Sequence, residues 1–174
     1  MLQQQVESSK QWREQDGIIY FSVTSDGTTG LDWSYQLESK GLRVGNCTNQ
    51  VLYSPDFKPT SGVTTEVAVL KGMLFENKDR ITKNIRAFAT ERELTVPNAE
   101  VACLIRQDFS DEEIEQMGLR CIIAMHEPIG DRDCRPSLLS AHREYHGCWL
   151  DVRSGEPNMK WGCMNGFAFA VSQK

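Results

Sequence analysis

The sequence predicts one α+β domain, built from a mixed sheet of about four strands with about five helices. A chain of 174 residues fits a single core. Its hydrophobic share of 40 % and charged share of 25 % are those of a folded globular protein. Short apolar runs of strand type also alternate with segments of helical periodicity. These three observations together predict the fold class.

The chain is predicted to divide into a polar N-terminal tail, residues 1–16, and a globular domain, residues 17–174. The tail is rich in Gln and charge and has too few apolar positions to form a packed face, although Trp12 could tether it. The first strand is predicted over residues 18–23, an apolar, β-branched and aromatic run that starts after Gly17.

Two helices are predicted before residue 76. Residues 31–39 fit either a strand or a helix, and the ending Lys40-Gly41 favours a helix because a cation and then a left-handed glycine end many helices. A short extended piece over 42–44 follows. After a proline-containing loop at 54–62, apolar residues at helical spacing predict a buried helix over 63–75.

A charged helix is predicted over residues 78–92. It buries Ile81, Ile85 and Phe88, which recur at intervals of four and three. A basic cluster lies around the same segment and is diluted by acidic neighbours. A solvated helix face is the favoured interpretation, and a local basic patch is the alternative. Its members are Lys78, Arg80, Lys83, Arg86 and Arg92.

The strongest local signal lies at residues 109–118. After a helix over about 97–105, Ser110 and Glu113 form a capping box, and Phe109 and Ile114 form a hydrophobic staple. Gly118 ends the predicted helix. The acidic residues of its first turn are explained by the helix dipole.

Further strands are predicted over 121–125, 148–152 and 167–171. The runs 18–23 and 121–125 are both continuously apolar, as strands covered on both faces are, and each leads into a polar loop. We therefore expect these two strands to be parallel neighbours whose loops meet at one edge of the sheet.

Charge and composition restrict the partners. The net charge of −5 opposes a phosphate backbone, which disfavours nucleic-acid binding. The sequence contains neither a bilayer-spanning apolar run nor an export signal, so we expect a cytoplasmic protein with reduced cysteines and no membrane partner. No feature identifies a protein partner.

The first candidate site is the segment of residues 25–30, between a strand and a helix. Gly27, Thr28, Thr29 and Gly30 could hold an anion through backbone amides and hydroxyls, with Asp26 beside them. The alternative is a tight structural turn with a Thr or Asp cap, since the spacing matches neither nucleotide-binding glycine motif.

The second candidate is His126 with Glu127, directly after the strand 121–125. An imidazole beside a carboxylate can transfer protons near neutral pH. Neighbouring side chains in an extended segment point in opposite directions, however, so a structural histidine is the alternative. If the two strands are neighbours, Asp26 and His126 face one crevice.

A third group contains Cys134, His142, His146 and Cys148. Histidines four apart share one face of a helix, and thiolates with imidazoles suit Zn²⁺. No paired-cysteine knuckle accompanies them, and a polar surface hairpin is the alternative; we expect no bound metal.

Two functions follow as hypotheses. The favoured one is a small-ligand-binding domain, or an enzyme acting on a phosphorylated or other anionic substrate, with Asp26, His126 and Glu127 as polar or catalytic groups. The other is a non-catalytic interaction or regulatory domain using its tail and C-terminal aromatic residues. No motif indicates a particular cofactor or reaction.

Overall fold

A computed structural model describes residues 11–173, which form five α-helices and one mixed sheet of ten strands. The helices are α1 Gly30–Ser39, α2 Asn46–Leu52, α3 Thr82–Glu91, α4 Glu100–Asp108 and α5 Asp111–Gln116. None of the helices in this part of the chain is long and apolar enough to cross a membrane.

The strands are β1 Arg13–Gln15, β2 Ile18–Asp26, β3 Arg43–Val44, β4 Ser61–Lys71, β5 Leu94–Thr95, β6 Cys121–Ala124, β7 Ile129–Gly130, β8 Pro136–Glu144, β9 Gly147–Ser154 and β10 Asn165–Val171. They follow the order β1-β2-β4-β10-β6-β8-β9-β3, with β5 beside β10 and β7 beside β8. The pairs β6–β10 and β3–β9 are parallel and the others are antiparallel.

The fold class is therefore confirmed, while the predicted number of strands is wrong. The sheet holds ten strands where about four are predicted. Four of the additional strands, β1, β3, β5 and β7, are only two or three residues long, β4 lies in the segment predicted as a helix, and β8 lies in a segment for which no strand was predicted. A strand of two or three residues is too short to show an alternation of apolar and polar residues.

The sheet has a hydrophobic core on each face. The larger core packs α1, α2, α4 and α5 against one side of the sheet. The smaller core packs α3, through Ile85 and Ala89, against the opposite side, where Phe167 and Phe169 of β10 and Ile123 of β6 are buried. This division leaves α3 alone over the carboxyl end of β6.

The helix predicted over 63–75 is wrong, because residues 61–71 form β4. Its residues Val67 to Leu70 are all fully buried, and the strand lies between β2 and β10. A central strand covered on both faces is apolar at consecutive positions. Such a run also contains residues at helical spacing, so the periodicity was ambiguous.

The sheet begins before the predicted boundary at residue 17. Arg13–Gln15 pair with Ile18–Tyr20 in a hairpin whose turn contains Asp16 and Gly17, both with positive φ. Trp12 packs against the larger core. Residues 1–10 of the predicted tail lie outside the described part of the chain.

The predicted start of α5 is confirmed. Ser110 accepts a hydrogen bond from the Glu113 N–H at 3.2 Å, and Glu113 accepts one from the Ser110 N–H at 2.8 Å. Phe109 and Ile114 are buried in the same cluster. Gly118 follows the helix with φ of +76°.

Replacing Ser110 with Ala should lower the free energy of unfolding by about 1 kcal/mol, because one N–H at the helix start loses its acceptor. Urea denaturation measures this loss. Ser39→Ala is a matched control at the exposed end of α1, expected to change stability by less than about 0.5 kcal/mol. Equal effects of the two substitutions would contradict the capping role.

Candidate ligand-binding site

The predicted crevice between Asp26 and His126 does not form. Strands β2 and β6 run in the same direction, but β4 and β10 lie between them. The expectation of adjacent strands is therefore wrong. Continuous apolar runs report burial on both faces, and β4 and β10 carry such runs as well, so the pattern did not specify which strands are neighbours.

Hydrogen bonds within the loop hold residues 26–28. Thr28 donates through its hydroxyl and through its N–H, at 3.1 Å, to Asp26 Oδ1. These bonds lower the pKa of Asp26 below its ordinary value. Gly27 has φ of +83° and donates its N–H to the Thr60 carbonyl at 2.8 Å.

Thr29 and Gly30 form the start of the helix α1. Thr29 is its N-cap and accepts from the Asp32 N–H at 3.2 Å. A Cβ on Gly30 would lie 1.8 Å from the Leu52 carbonyl oxygen, so Gly30 permits the close contact between α1 and the end of α2. Each residue of the loop thus has a local structural role, and anion binding by Gly27 to Gly30 stays a prediction.

His126 is buried, with an exposed fraction of 1 %. Its Nδ1–H donates to the Glu127 carbonyl at 2.7 Å, and its Nε2 accepts from the Leu139 N–H at 3.0 Å. Burial, assisted by the charge of Arg86, lowers its pKa to about 4 despite the opposing bond to Glu127. Both ring nitrogens are engaged, which weighs against the predicted catalytic role.

Glu127 opens onto a cavity of about 350 Å³ that we call the α3 cavity. It lies between α3, the loops after β6 and β9, the segment around β5 and the buried Phe169 of β10. Its lining residues are Thr82, Lys83, Arg86, Ala89, Thr90, Leu94, Val96, Glu127, Pro128, Gly155, Pro157 and Phe169. The cavity adjoins the carboxyl ends of the parallel strands β6 and β10, where ligands bind in many open sheets.

Arg86 provides a half-buried cationic group in the wall of the α3 cavity. Its Nη1 donates to the Met125 carbonyl at 2.8 Å and its Nη2 to the His126 carbonyl at 3.0 Å. Burial lowers the pKa of Arg86 from its ordinary value, and the nearby charge of Glu127 acts in the opposite sense. The side chain is thereby fixed at the end of β6.

The basic cluster around α3 is only partly the solvated face predicted for it. Arg80 is buried and donates to the carbonyls of Gly72 and Phe75, at 2.7 and 2.8 Å. Arg86 is half-buried, whereas Lys83 is exposed. Lys83 and Arg86, which both line the α3 cavity, were not among the predicted site residues, although their spacing of three puts them on neighbouring positions of one helix face.

The four residues considered for metal binding are not arranged on a helix. His142 lies on β8, and His146 follows in the exposed turn to β9. The side chain of Cys148 lies outside the described atoms. Within the described residues, no group of three or more His, Cys, Asp or Glu side chains could hold a metal ion.

A second polar cluster lies where β6 and β10 begin. Cys121 is paired with His142 across the sheet, and its Sγ lies 3.3 Å from Asn165 Oδ1. Burial raises the pKa of Cys121 to about 11, and burial also lowers the pKa of His142. A buried, protonated thiol is a poor nucleophile, so this cluster is a structural feature of the sheet.

The α3 cavity is therefore a candidate site for a ligand, and only Glu127 of the predicted site residues lines it. No protein-family model, curated protein sequence or solved structure matches this chain.

Proposed function

We propose that this chain binds a small anionic ligand in the α3 cavity. The observation that carries the proposal is the guanidinium of Arg86, fixed by two backbone carbonyls in the wall of a largely apolar cavity. Ligand sites commonly combine apolar walls with a few fixed polar groups and have volumes of about 300–1,000 Å³. The cavity fits both criteria.

Electrostatics favours an anion over a neutral ligand. Lys83 and Arg86 contribute two positive charges to the lining and Glu127 one negative charge. The guanidinium is partly buried. In such an environment a cation is stabilised less by solvent and more by an opposite charge than it is in water. Binding an anion would restore the lost stabilisation.

The residues around the α3 cavity support ligand binding and do not indicate a particular reaction. His126 uses both ring nitrogens in bonds to the backbone. Glu127 is the carboxylate among the lining residues and is exposed, so it is a candidate for proton transfer to or from a bound substrate. Catalysis by Glu127 would require a bound substrate, which makes binding the first property to test.

The aromatic residues that the alternative function, an interaction domain, would use as a contact surface are buried or partly buried. Trp161, Phe167 and Phe169 are buried in the smaller core. Trp12 is partly buried against the larger core, and Trp149 is also only partly exposed. These side chains stabilise the fold and do not form a broad exposed aromatic surface. Their burial therefore favours the ligand-binding function over the interaction function.

Amide chemical shifts test the location of the site. We expect titration with sodium hexanoate and hexyl phosphate to shift the amides of α3 and of Glu127 in a saturable manner. If the amides of Gly27 to Gly30 respond instead, the anion-binding loop predicted from the sequence is the site and the α3 cavity is not. Responses from neither region would reject the proposal.

Replacing Lys83 with Gln should weaken binding of the tighter of these two anions about threefold to tenfold, because one exposed positive charge is lost from the rim. Calorimetric titration measures the change. Lys58→Gln removes the same charge from an exposed residue outside the cavity and should leave affinity unchanged. Equal losses in both variants would show only a general charge effect and would contradict the site.

A further inference from the structure

We infer that the ligand of the α3 cavity is a monocarboxylate that carries an apolar chain or ring. This inference rests on the proposed function and specifies its ligand class. Two features support this ligand class. The first is the set of hydrogen-bond donors and charges near Arg86, and the second is the apolar character of the other cavity walls.

The guanidinium of Arg86 suits a carboxylate. A guanidinium has five N–H donors in a planar fork, and two of them are used in the bonds from Nη1 and Nη2 to the carbonyls of Met125 and His126. Neighbouring N–H groups of this fork point in parallel directions. Two parallel donors match the two oxygens of a carboxylate.

The start of α3 does not supply the amides that phosphate groups use. Phosphates bind helix N-termini through backbone N–H groups. Here the Thr82 N–H donates to the Met159 carbonyl at 3.2 Å, and the Lys83 N–H donates to the Pro157 carbonyl at 2.9 Å. The Thr82 hydroxyl also accepts from Trp161 Nε1 at 3.0 Å.

Glu127 further discriminates against a doubly charged group. Its carboxylate lines the same cavity as Lys83 and Arg86, so the net charge of the three side chains is only +1. One negative charge on the ligand neutralises this set, whereas a phosphate dianion leaves an excess negative charge beside Glu127. The electrostatic balance therefore matches a single carboxylate.

The remainder of the cavity is apolar. Its walls include Ala89, Leu94, Val96, Pro128 and Phe169, of which Ala89 and Phe169 are almost fully buried. A volume of about 350 Å³ corresponds to roughly a dozen water-sized groups of about 30 Å³ each. This space fits a medium-length hydrocarbon chain or an aromatic ring attached to the carboxylate.

Ligands with matched tails test the head group. We expect hexanoate to bind at least about tenfold more tightly than hexanol and hexyl phosphate, measured calorimetrically. Shortening the tail from hexanoate to butanoate should weaken binding about fourfold for each methylene removed. Equal binding of hexanol and hexanoate, or no dependence on tail length, would overturn the inference.

Charge placed on the wall provides a second test. Val96 is 46 % exposed and lines the cavity, whereas Val63 is 49 % exposed and lies on β4 outside it. Val96→Glu should weaken hexanoate binding about tenfold more than Val96→Lys does, while Val63→Glu should have no effect. Both variants lose the same apolar contact at this position, so their difference reports the electrostatic effect, and equal affinities of the two variants would overturn the inference.

The outcomes distinguish this inference from the proposed function. Tighter binding of hexyl phosphate than of hexanoate, with shifts in the α3 amides, would retain the anion site and reject the carboxylate class. Failure of both anions to bind in the α3 cavity would reject the proposed function and the inference together.

Discussion

Replacing His126 with Gln is expected to remove a pH dependence of stability worth about 2 kcal/mol between about pH 7 and pH 5. In the folded protein, burial lowers the pKa of His126 to about 4, against an ordinary value of 6.5. The neutral ring donates from Nδ1 and accepts at Nε2 from Leu139. A protonated ring could not accept that bond.

The sign follows from proton binding in the two states. Below about pH 6.5 the unfolded chain protonates this histidine while the folded protein does not, so the unfolded state is stabilised as the pH falls. The contribution of neutral His126 to the free energy of unfolding is fully present above this pH and is lost as the pH falls towards 4. Over the whole window it is on the order of 3 kcal/mol.

The measurement is urea denaturation of the wild type and His126→Gln at several pH values. Low protein concentration is needed because the isoelectric point of about 5.3 falls inside the window. The burial-lowered pKa of His142 gives a contribution of the same sign, but His142 is present in both proteins and cancels in the comparison. Identical pH dependence in the two proteins would show that His126 is not buried as a neutral ring.

Features encoded by neighbouring residues were predictable from the sequence. The capping box between Ser110 and Glu113 uses atoms within one helical turn, so the residue types were sufficient to place the start of α5. The ending Lys40-Gly41 likewise favoured helix for α1, and Gly41 has φ of +79°. Local chemistry specified these elements without knowledge of the tertiary fold.

Features that depend on tertiary contacts were not predictable in the same way. The residues of β4 are apolar because β2 and β10 flank the strand and both faces are covered. The role of Arg86 likewise depends on the carbonyls of Met125 and His126, about 40 positions away in the chain. Residue spacing within the α3 segment shows its charge but does not show which charges are buried.

The residues of the candidate site were also only partly predictable from the sequence. Glu127 was predicted because it directly follows an apolar strand, and it lines the α3 cavity. Asp26, which was expected to share a crevice with His126, lies on β2, and two intervening strands separate β2 from β6. Strand order is specified by packing among all the strands, so a pairwise likeness between two runs could not establish it.

Replacing Gly30 with Ala is expected to lower the free energy of unfolding by about 3 kcal/mol. The added Cβ would lie 1.8 Å from the Leu52 carbonyl oxygen and 2.6 Å from its carbonyl carbon. These are backbone atoms, so α1 and the end of α2 must separate to make room. Alanine has the higher helix propensity, which means that any loss at this first residue of α1 is steric.

Gly41→Ala serves as the matched control for Gly30→Ala, measured by the same urea denaturation. Gly41 has no neighbouring heavy atom within 4 Å of a built Cβ, although its φ of +79° costs an alanine about 1 kcal/mol. A greater loss at Gly30 than at Gly41 would therefore report the contact between α1 and α2. If Gly30→Ala is as stable as the wild type, that contact is wrong, and the glycine is then better explained by the anion-binding loop predicted from the sequence.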